Sequence, residues 1–185
     1  MQSKDIREII KIGVILFLIT AVSAGILAVV NGMTAPVIAA NNEKKRDEAM
    51  ARVLPEATGF EQAKYEADEA SSVTAVYSAG DAGLVVLCEP NGYGGAISMV
   101  VGIKPDGTVS GVDITGQSET PGLGANCVKE EFRAQYVGKS AGITVKKNGA
   151  KDNEVDAISS ATITTKAVTK GVNDALVAAG FSKEG

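Results

Sequence analysis

With 185 residues and a net charge of −4, the chain has room for one globular domain and a short additional segment. Residues 1–11 carry three bases against two acids, so the remainder carries −5, and no electrostatic case for nucleic-acid binding exists. There is no histidine and there are two cysteines, which excludes histidine acid–base catalysis, mixed cysteine–histidine zinc sites and iron–sulfur clusters on four cysteines. Redox chemistry in such a chain has to come from a bound group. Cys88 lies in an apolar, strand-like run and reads as a buried free thiol, while Cys127 opens a helical stretch. Whether the two pair is left open by sequence.

From Ile12 to Asn42 no residue is charged, and Ile12–Val30 is almost wholly apolar. Nineteen helical residues span roughly 28 Å, close to the hydrocarbon thickness of a bilayer. A cleaved signal peptide has an apolar core of only about 7–15 residues, so an anchor is the reading. Lys4, Arg7 and Lys11 flank its N-terminal side, which predicts a cytoplasmic N-terminus and an extracytoplasmic remainder. Asn31, Gly32 and Pro36 predict that the helix kinks or ends there. Asn41–Leu54 then reads as a juxtamembrane helix with Ala49, Met50 and Val53 on one side, closed by Pro55. The expected organisation is 1–8 cytoplasmic, 9–32 transmembrane, 33–55 juxtamembrane helix and linker, and 56–185 an extracytoplasmic domain.

Within that domain residues 73–79 alternate like a strand, with Val73, Ala75, Tyr77 and Ala79 on one side. Gly80-Asp81-Ala82-Gly83 is a turn and Leu84–Cys88 a short apolar strand. Ala96–Lys104 and Thr108–Thr115 flank Pro105-Asp106-Gly107, a hairpin signal. Asn126–Tyr136 is predicted helical, Ile143–Lys147 a strand and Ala161–Ala179 the last helix. Apolar or small residues at Ile163, Ala167, Val168, Gly171, Val172, Ala175, Leu176 and Ala179 give that helix a core face. Thr162, Lys166, Thr169 and Asn173 are expected opposite, toward solvent. Strands gathered before helices predict an α+β fold with an antiparallel sheet flanked by helices. No Gly-x-Gly-x-x-Gly strand–helix fingerprint occurs, which argues against a Rossmann site for a free dinucleotide.

Three short segments carry the chemistry. Asp156-Ala157-Ile158-Ser159-Ser160-Ala161-Thr162 ends in the first turn of the last helix, where free backbone N–H groups and the helix dipole favour a phosphate. A serine or threonine cap with a solvated face would use the same residues. Glu119-Thr120-Pro121-Gly122-Leu123-Gly124 reads as a tight turn whose glycines also let backbone approach a flat ring. Gly92-Tyr93-Gly94-Gly95 reads equally as a strand connection.

Asp-x-x-Ser-x-Ala-Thr resembles the flavinylation motif of the FMN-binding domain family, in which a transferase moves FMN from FAD onto the threonine. Ser160 stands where that family usually has glycine. The Glu-Thr-Pro-Gly-Leu-Gly and Gly-Tyr-Gly-Gly runs resemble the family's other two motifs. With a single N-terminal anchor, the three together resemble the family of G subunits of Rnf electron-transport complexes. The resemblance implies FMN as cofactor, joined to Thr162 as a phosphoester, with Ser159, Ser160, Ala161, Glu119, Thr120, Gly122, Leu123, Gly124, Tyr93, Gly94 and Lys166 around it. It implies no metal site and no catalytic residues of the chain's own. The implied role is a redox subunit relaying electrons in an ion-translocating ferredoxin–NAD oxidoreductase. Its implied partners are other integral-membrane, iron–sulfur and flavin subunits, a flavin transferase during maturation, and membrane lipid. Two alternatives are the C subunit of the sodium-pumping NADH–quinone reductase, which shares the domain, and an anchored extracytoplasmic binding or scaffold module without cofactor.

Overall fold

A computed structural model of the protein describes residues 3–65 and 71–181. The first helix, α1, runs over Ser3–Val53 with Pro36 inside it. Where the sequence predicts a kink or an end, at Asn31–Pro36, the helix does not end, and the segment expected as a juxtamembrane helix continues the same element to Val53. Proline removes one backbone bond, but Ala39, Ala40 and the Glu-Lys-Lys-Arg run beyond it are good helix formers and resume the ladder. The segment is long and apolar enough to cross a membrane, and none of its apolar window is buried by the chain itself.

The chain divides into two compact units, Met1–Lys44 and Lys45–Gly185. In the second, strands β1 (Glu61–Ala63), β2 (Val73–Ser78), β3 (Leu84–Cys88), β4 (Ser98–Ile103) and β5 (Val109–Gly116) form an antiparallel meander in sequence order. Helix α2 (Glu130–Arg133), a parallel pair β6 (Thr144–Lys146) and β7 (Glu154–Asp156), and helix α3 (Thr162–Ala178) follow. This is the α+β arrangement that the order of elements predicts, with the short parallel pair as an addition.

Both faces of the sheet are covered, and the strand pattern says by what. Along β3, Val86 and Cys88 join the main core with Val168, Val172 and Leu176 of α3, while Val85 joins Ala49, Met50, Val53 and Leu54 at the end of α1. On β4, Met99, Val101 and Ile103 face α3 and Val100 faces α1. The alternation expected on β2 is interrupted. Its register shifts between Val73 and Ala75, so Val73 and Val76 point to the main core and Tyr77 and Ala79 to the α1 side.

The end of α1 sits very close to the sheet because two paired glycines, Gly102 and Gly111, lie beneath it. A methyl on Gly102 would fall 2.5 Å from the Val53 carbonyl oxygen, and one on Gly111 3.1 Å from Val53 Cα. Ser110 Oγ donates to that same carbonyl at 2.6 Å, satisfying a helix-end acceptor. Arg52 of α1 and Arg133 of α2 meet on Asp113 of β5, at 2.6 Å and 2.5 Å.

The helix predicted over Asn126–Tyr136 is broken into a 3-10 turn at Gly124–Val128, α2, and a second 3-10 turn at Ala134–Tyr136. Lys129 adopts extended backbone between the first two. Cys127, Phe132 and Tyr136 are all buried, and the break rotates successive turns so that all three face the core. Phe132 and Tyr136 pack edge to face with centroids 5.6 Å apart.

Helix α3 differs from its predicted faces at Ile163, Thr169 and Asn173, the last half-buried with its amide joined to the backbone of Gly142 and Ile143. Ile163 is exposed, the inward positions of the first turn being taken by the buried Thr164 and Thr165, and Thr169 is buried. Burial of Thr169 is tolerated because its hydroxyl meets Tyr136 Oη and the Thr165 carbonyl, both at 2.9 Å. Cys88 and Cys127 are free and buried, with no disulfide. Burial pushes Cys88 up to about 12, with the charge of Asp174 adding to it. Cys127 rises to about 11 by burial and then by the charge of Glu119. Only thiolates alkylate readily, so neither cysteine of the native protein reacts with iodoacetamide at about pH 8, and both react once it is unfolded. Mass analysis of the alkylated chain checks this; labelling of either thiol in the native state would contradict the packing.

Candidate cofactor cleft

The three sequence segments converge. A cleft of about 560 Å³ is lined by Tyr93, Glu119, Thr120, Leu123, Gly124, Ser160, Ala161, Thr162, Ile163 and Thr164. That volume lies within the range of small-molecule sites.

The first wall is the Gly-Tyr-Gly-Gly turn. The Gly92 N–H donates to the Gly95 carbonyl at 2.8 Å, Asn91 bridges Ala96, and Tyr93 projects from the tip with most of its ring exposed. The segment is thus a strand connection that also supplies a cleft side chain. The second wall is a type II turn: the Leu123 N–H donates to the Thr120 carbonyl at 3.1 Å across Pro121 and Gly122, and Gly122 holds φ 78°. Gly122 serves that backbone and does not itself line the cleft. It presents Leu123, which is exposed at the rim.

The third wall is the start of α3. Ala161 takes the cap position and offers no side-chain oxygen, so no side chain caps the helix. The N–H groups of the first turn are left open to a ligand, and an anion is favoured there. Thr162, the first helical residue, is exposed. Among the threonines of α3 it alone has a hydroxyl without a protein partner among the described residues. Thr164 donates to Glu119, Thr165 donates to the Ala161 carbonyl at 3.0 Å, and Thr169 is tied as described above.

Ser160 has φ 61°, a left-handed backbone that explains why glycine suits this position. Ser160→Gly is expected to stabilise the domain by about 0.5–1 kcal/mol, the relief of a strained conformation less the entropy of a freer unfolded chain. Thermal unfolding measures it, and a lower Tm would contradict the strain argument.

Several predicted site residues lie elsewhere. Ser159 is exposed, and neither it nor Lys166 or Gly94 lines the cleft. Gly94 serves packing: a methyl there would overlap the Ser118 carbonyl oxygen. Asp156 ends β7, accepting the Ala150 N–H at 2.8 Å while its own N–H donates to Gln135 at 2.7 Å. Its motif position therefore shapes the approach to Ser159-Ser160. Ile163 and Thr164 line the cleft although helical periodicity assigned neither to it. Gly124 packs between two site side chains, since a methyl there would lie 2.5 Å from Glu119 Oε2 and 2.6 Å from Thr164 Oγ1. Gly124→Ala is expected to cost about 1–3 kcal/mol by overpacking, measurable by urea denaturation; an unchanged midpoint would refute that packing.

The arrangement suits an amphipathic ligand. Tyr93, Leu123 and Ile163 offer exposed apolar surface for a flat ring, and the uncapped helix start beside Thr162 suits a phosphate. Among the described residues no group of three or more histidine, cysteine, aspartate or glutamate side chains could hold a metal ion.

Comparison with known proteins identifies the family. The FMN-binding domain family matches residues 92–177, and the RnfG N-terminal region matches residues 1–53. The G subunit of the proton-translocating ferredoxin:NAD(+) oxidoreductase complex of Clostridium ljungdahlii is 36% identical over 180 residues, covering 95% of this chain and 94% of that protein. The G subunit of the Na(+)-translocating ferredoxin:NAD(+) oxidoreductase complex of Acetobacterium woodii is 37% identical over 188 residues, covering 91% and 90%. The crystal structure of Shewanella oneidensis NqrC is similar with a TM-score of 0.51 over 66% of this chain and 67% of that one; at 21% identity it shows a shared fold. With an apolar N-terminal helix, an FMN-binding domain and this similarity along nearly its whole length, the chain belongs to the RnfG family, the G subunits of Rnf complexes.

Proposed function

We propose that this chain is a membrane-anchored flavoprotein subunit that relays electrons within an ion-translocating ferredoxin:NAD oxidoreductase complex, through FMN joined covalently to Thr162. The observation that carries the reading is the placement of Thr162: an exposed, unengaged hydroxyl on an uncapped helix start, at the edge of a cleft with an apolar rim.

Attachment is a group transfer onto this chain. The Thr162 hydroxyl oxygen forms a bond to the FMN phosphorus of FAD, the pyrophosphate bond breaks, AMP leaves and the hydroxyl proton passes to a flavin transferase. The open N–H groups of Thr162, Ile163 and Thr164 are positioned to meet the charge of the resulting phosphoester. When bound, FMN supplies the electron-carrying chemistry, and the protein supplies position and electrostatics. Tyr93, Leu123 and Ile163 give the ring an apolar surface, and the turn at Pro121-Gly122 fixes Leu123 in place.

The apolar stretch of α1 inserts in lipid, with Lys4, Arg7 and Lys11 holding the N-terminus in the cytoplasm and the cleft on the other side. Partners are the remaining membrane, iron–sulfur and flavin subunits of the complex. The NADH–quinone reductase protein NqrC shares the fold, but the full-length similarity at 36–37% identity is to the two ferredoxin:NAD(+) oxidoreductase relatives. The test is electron transfer from reduced ferredoxin to NAD by the purified complex, with wild-type chain or Thr162→Val. Loss of transfer in an assembled variant complex supports the reading; an undiminished rate rejects it.

A further inference from the structure

The three cleft walls meet on one buried group. Glu119 is 5% exposed. One carboxylate oxygen accepts the Gly94 N–H at 2.8 Å, and the other accepts the hydroxyl of Thr164 in the first turn of α3. The glycines around it leave room for that carboxylate. A methyl on Gly92 would overlap Oε1, and one on Gly124 would lie 2.5 Å from Oε2. Glycines from two separate motifs thus accommodate a protein side chain, in addition to anything the cleft binds.

Among the described residues no basic side chain pairs with Glu119. The nearby Cys127 thiol supplies no countercharge: burial and the charge of Glu119 both push it up. Burying a carboxylate without a countercharge is costly. A glutamine would join the same segments, its carbonyl oxygen accepting the Gly94 N–H and its amide donating to Thr164 Oγ1, without that cost. What only the carboxylate brings is a negative charge on the lining of the cleft.

We propose that Glu119, beyond tying the walls together, sets the reduction potential of the FMN held in this cleft, its charge opposing the addition of electrons to a group in the same low-dielectric space. The inference rests on the FMN reading above. The Gly94 N–H and the Thr164 hydroxyl partly neutralise the charge, so removing either donor strengthens its effect.

The experiment uses the full chain coexpressed with a flavin transferase, as wild type, Glu119→Gln and Thr164→Val. Each is analysed for FMN on the Thr162 peptide and titrated spectroelectrochemically. Glu119→Gln is expected to carry FMN at a more positive potential than wild type, and Thr164→Val at a more negative one. A Glu119→Gln potential equal to or below wild type overturns the proposal. If Glu119→Gln is recovered unfolded or unmodified, Thr164→Val decides: a more negative potential supports the tuning role, and an unchanged or more positive one overturns it. Wild-type protein with no bound flavin and an unmodified Thr162 defeats the FMN reading and this inference together. Flavinylated proteins of equal potential defeat only the tuning role.

Discussion

Thr162→Val yields a folded domain with no covalent flavin. Valine keeps the branched shape of threonine and differs chiefly in lacking the hydroxyl. That hydroxyl makes no hydrogen bond to the protein among the described residues, and the side chain is exposed, so its loss breaks nothing inside the fold. The stability change is expected within about 0.5 kcal/mol, the usual scale for surface substitutions. The modification, by contrast, falls to zero because the attacking oxygen is gone. Circular dichroism and thermal unfolding report the first half, and in-gel flavin fluorescence of the denatured protein the second. The neighbouring threonines provide the control: Thr165→Val removes a hydroxyl that accepts the Ile158 N–H at 3.0 Å and donates to Ala161. It is expected to destabilise by about 1–2 kcal/mol, because it strands the half-buried Ile158 N–H, while leaving the attachment hydroxyl in place. A fluorescent Thr162→Val band would move the attachment point elsewhere.

The largest stability loss is expected from Asp113→Ala. Asp113 is 7% exposed and accepts from Arg52 Nε and Nη2 on one oxygen and from Arg133 on the other. Arg133 is mostly buried, and its Nε has no hydrogen-bond partner among the described residues. Removing the carboxylate leaves that guanidinium, among the described residues, with only the Val112 carbonyl, at 3.1 Å. Breaking such a buried pair from one side costs about 3–5 kcal/mol. Arg52→Ala removes the more exposed partner and is expected to cost about 1 kcal/mol. Denaturant unfolding of the two variants separates them. Equal effects would mean that the cluster acts as an ordinary surface ion pair, and that the end of α1 is held by its packing on Val85 and Val100, its close approach to Gly102 and Gly111, and Ser110.

Local signals were readable from sequence and distant ones were not. The β3 strand, the hairpin at Pro105-Asp106-Gly107 and the start of α3 at Thr162 follow from runs of a few residues, and the structure has them where expected. The antiparallel character of the sheet follows too, and the structure adds its order, a meander of five strands. β1 and β7 have three residues each and carry charges, too little for a period to register. The burial of Thr169 depends on Tyr136, thirty-three residues away, and hydroxyls satisfied by tertiary partners read as solvent-facing in any periodicity argument. The exposure of Ile163 and the break at Lys129 have the same origin: packing decides the face, and it overrides local spacing. In the cleft, residues from all three motifs come together. The role of Glu119 as the point where they join became visible only with the fold, because Gly94 and Thr164 lie twenty-five and forty-five residues from it.

The central claim is that Thr162 carries FMN. Its most direct test is mass analysis of the peptide spanning Asp156–Lys166 from full-length protein coexpressed with a flavin transferase. The account predicts one added FMN phosphoester, with fragment ions placing it on Thr162. An unmodified peptide, or FMN mapped to Ser159 or Ser160, would contradict it.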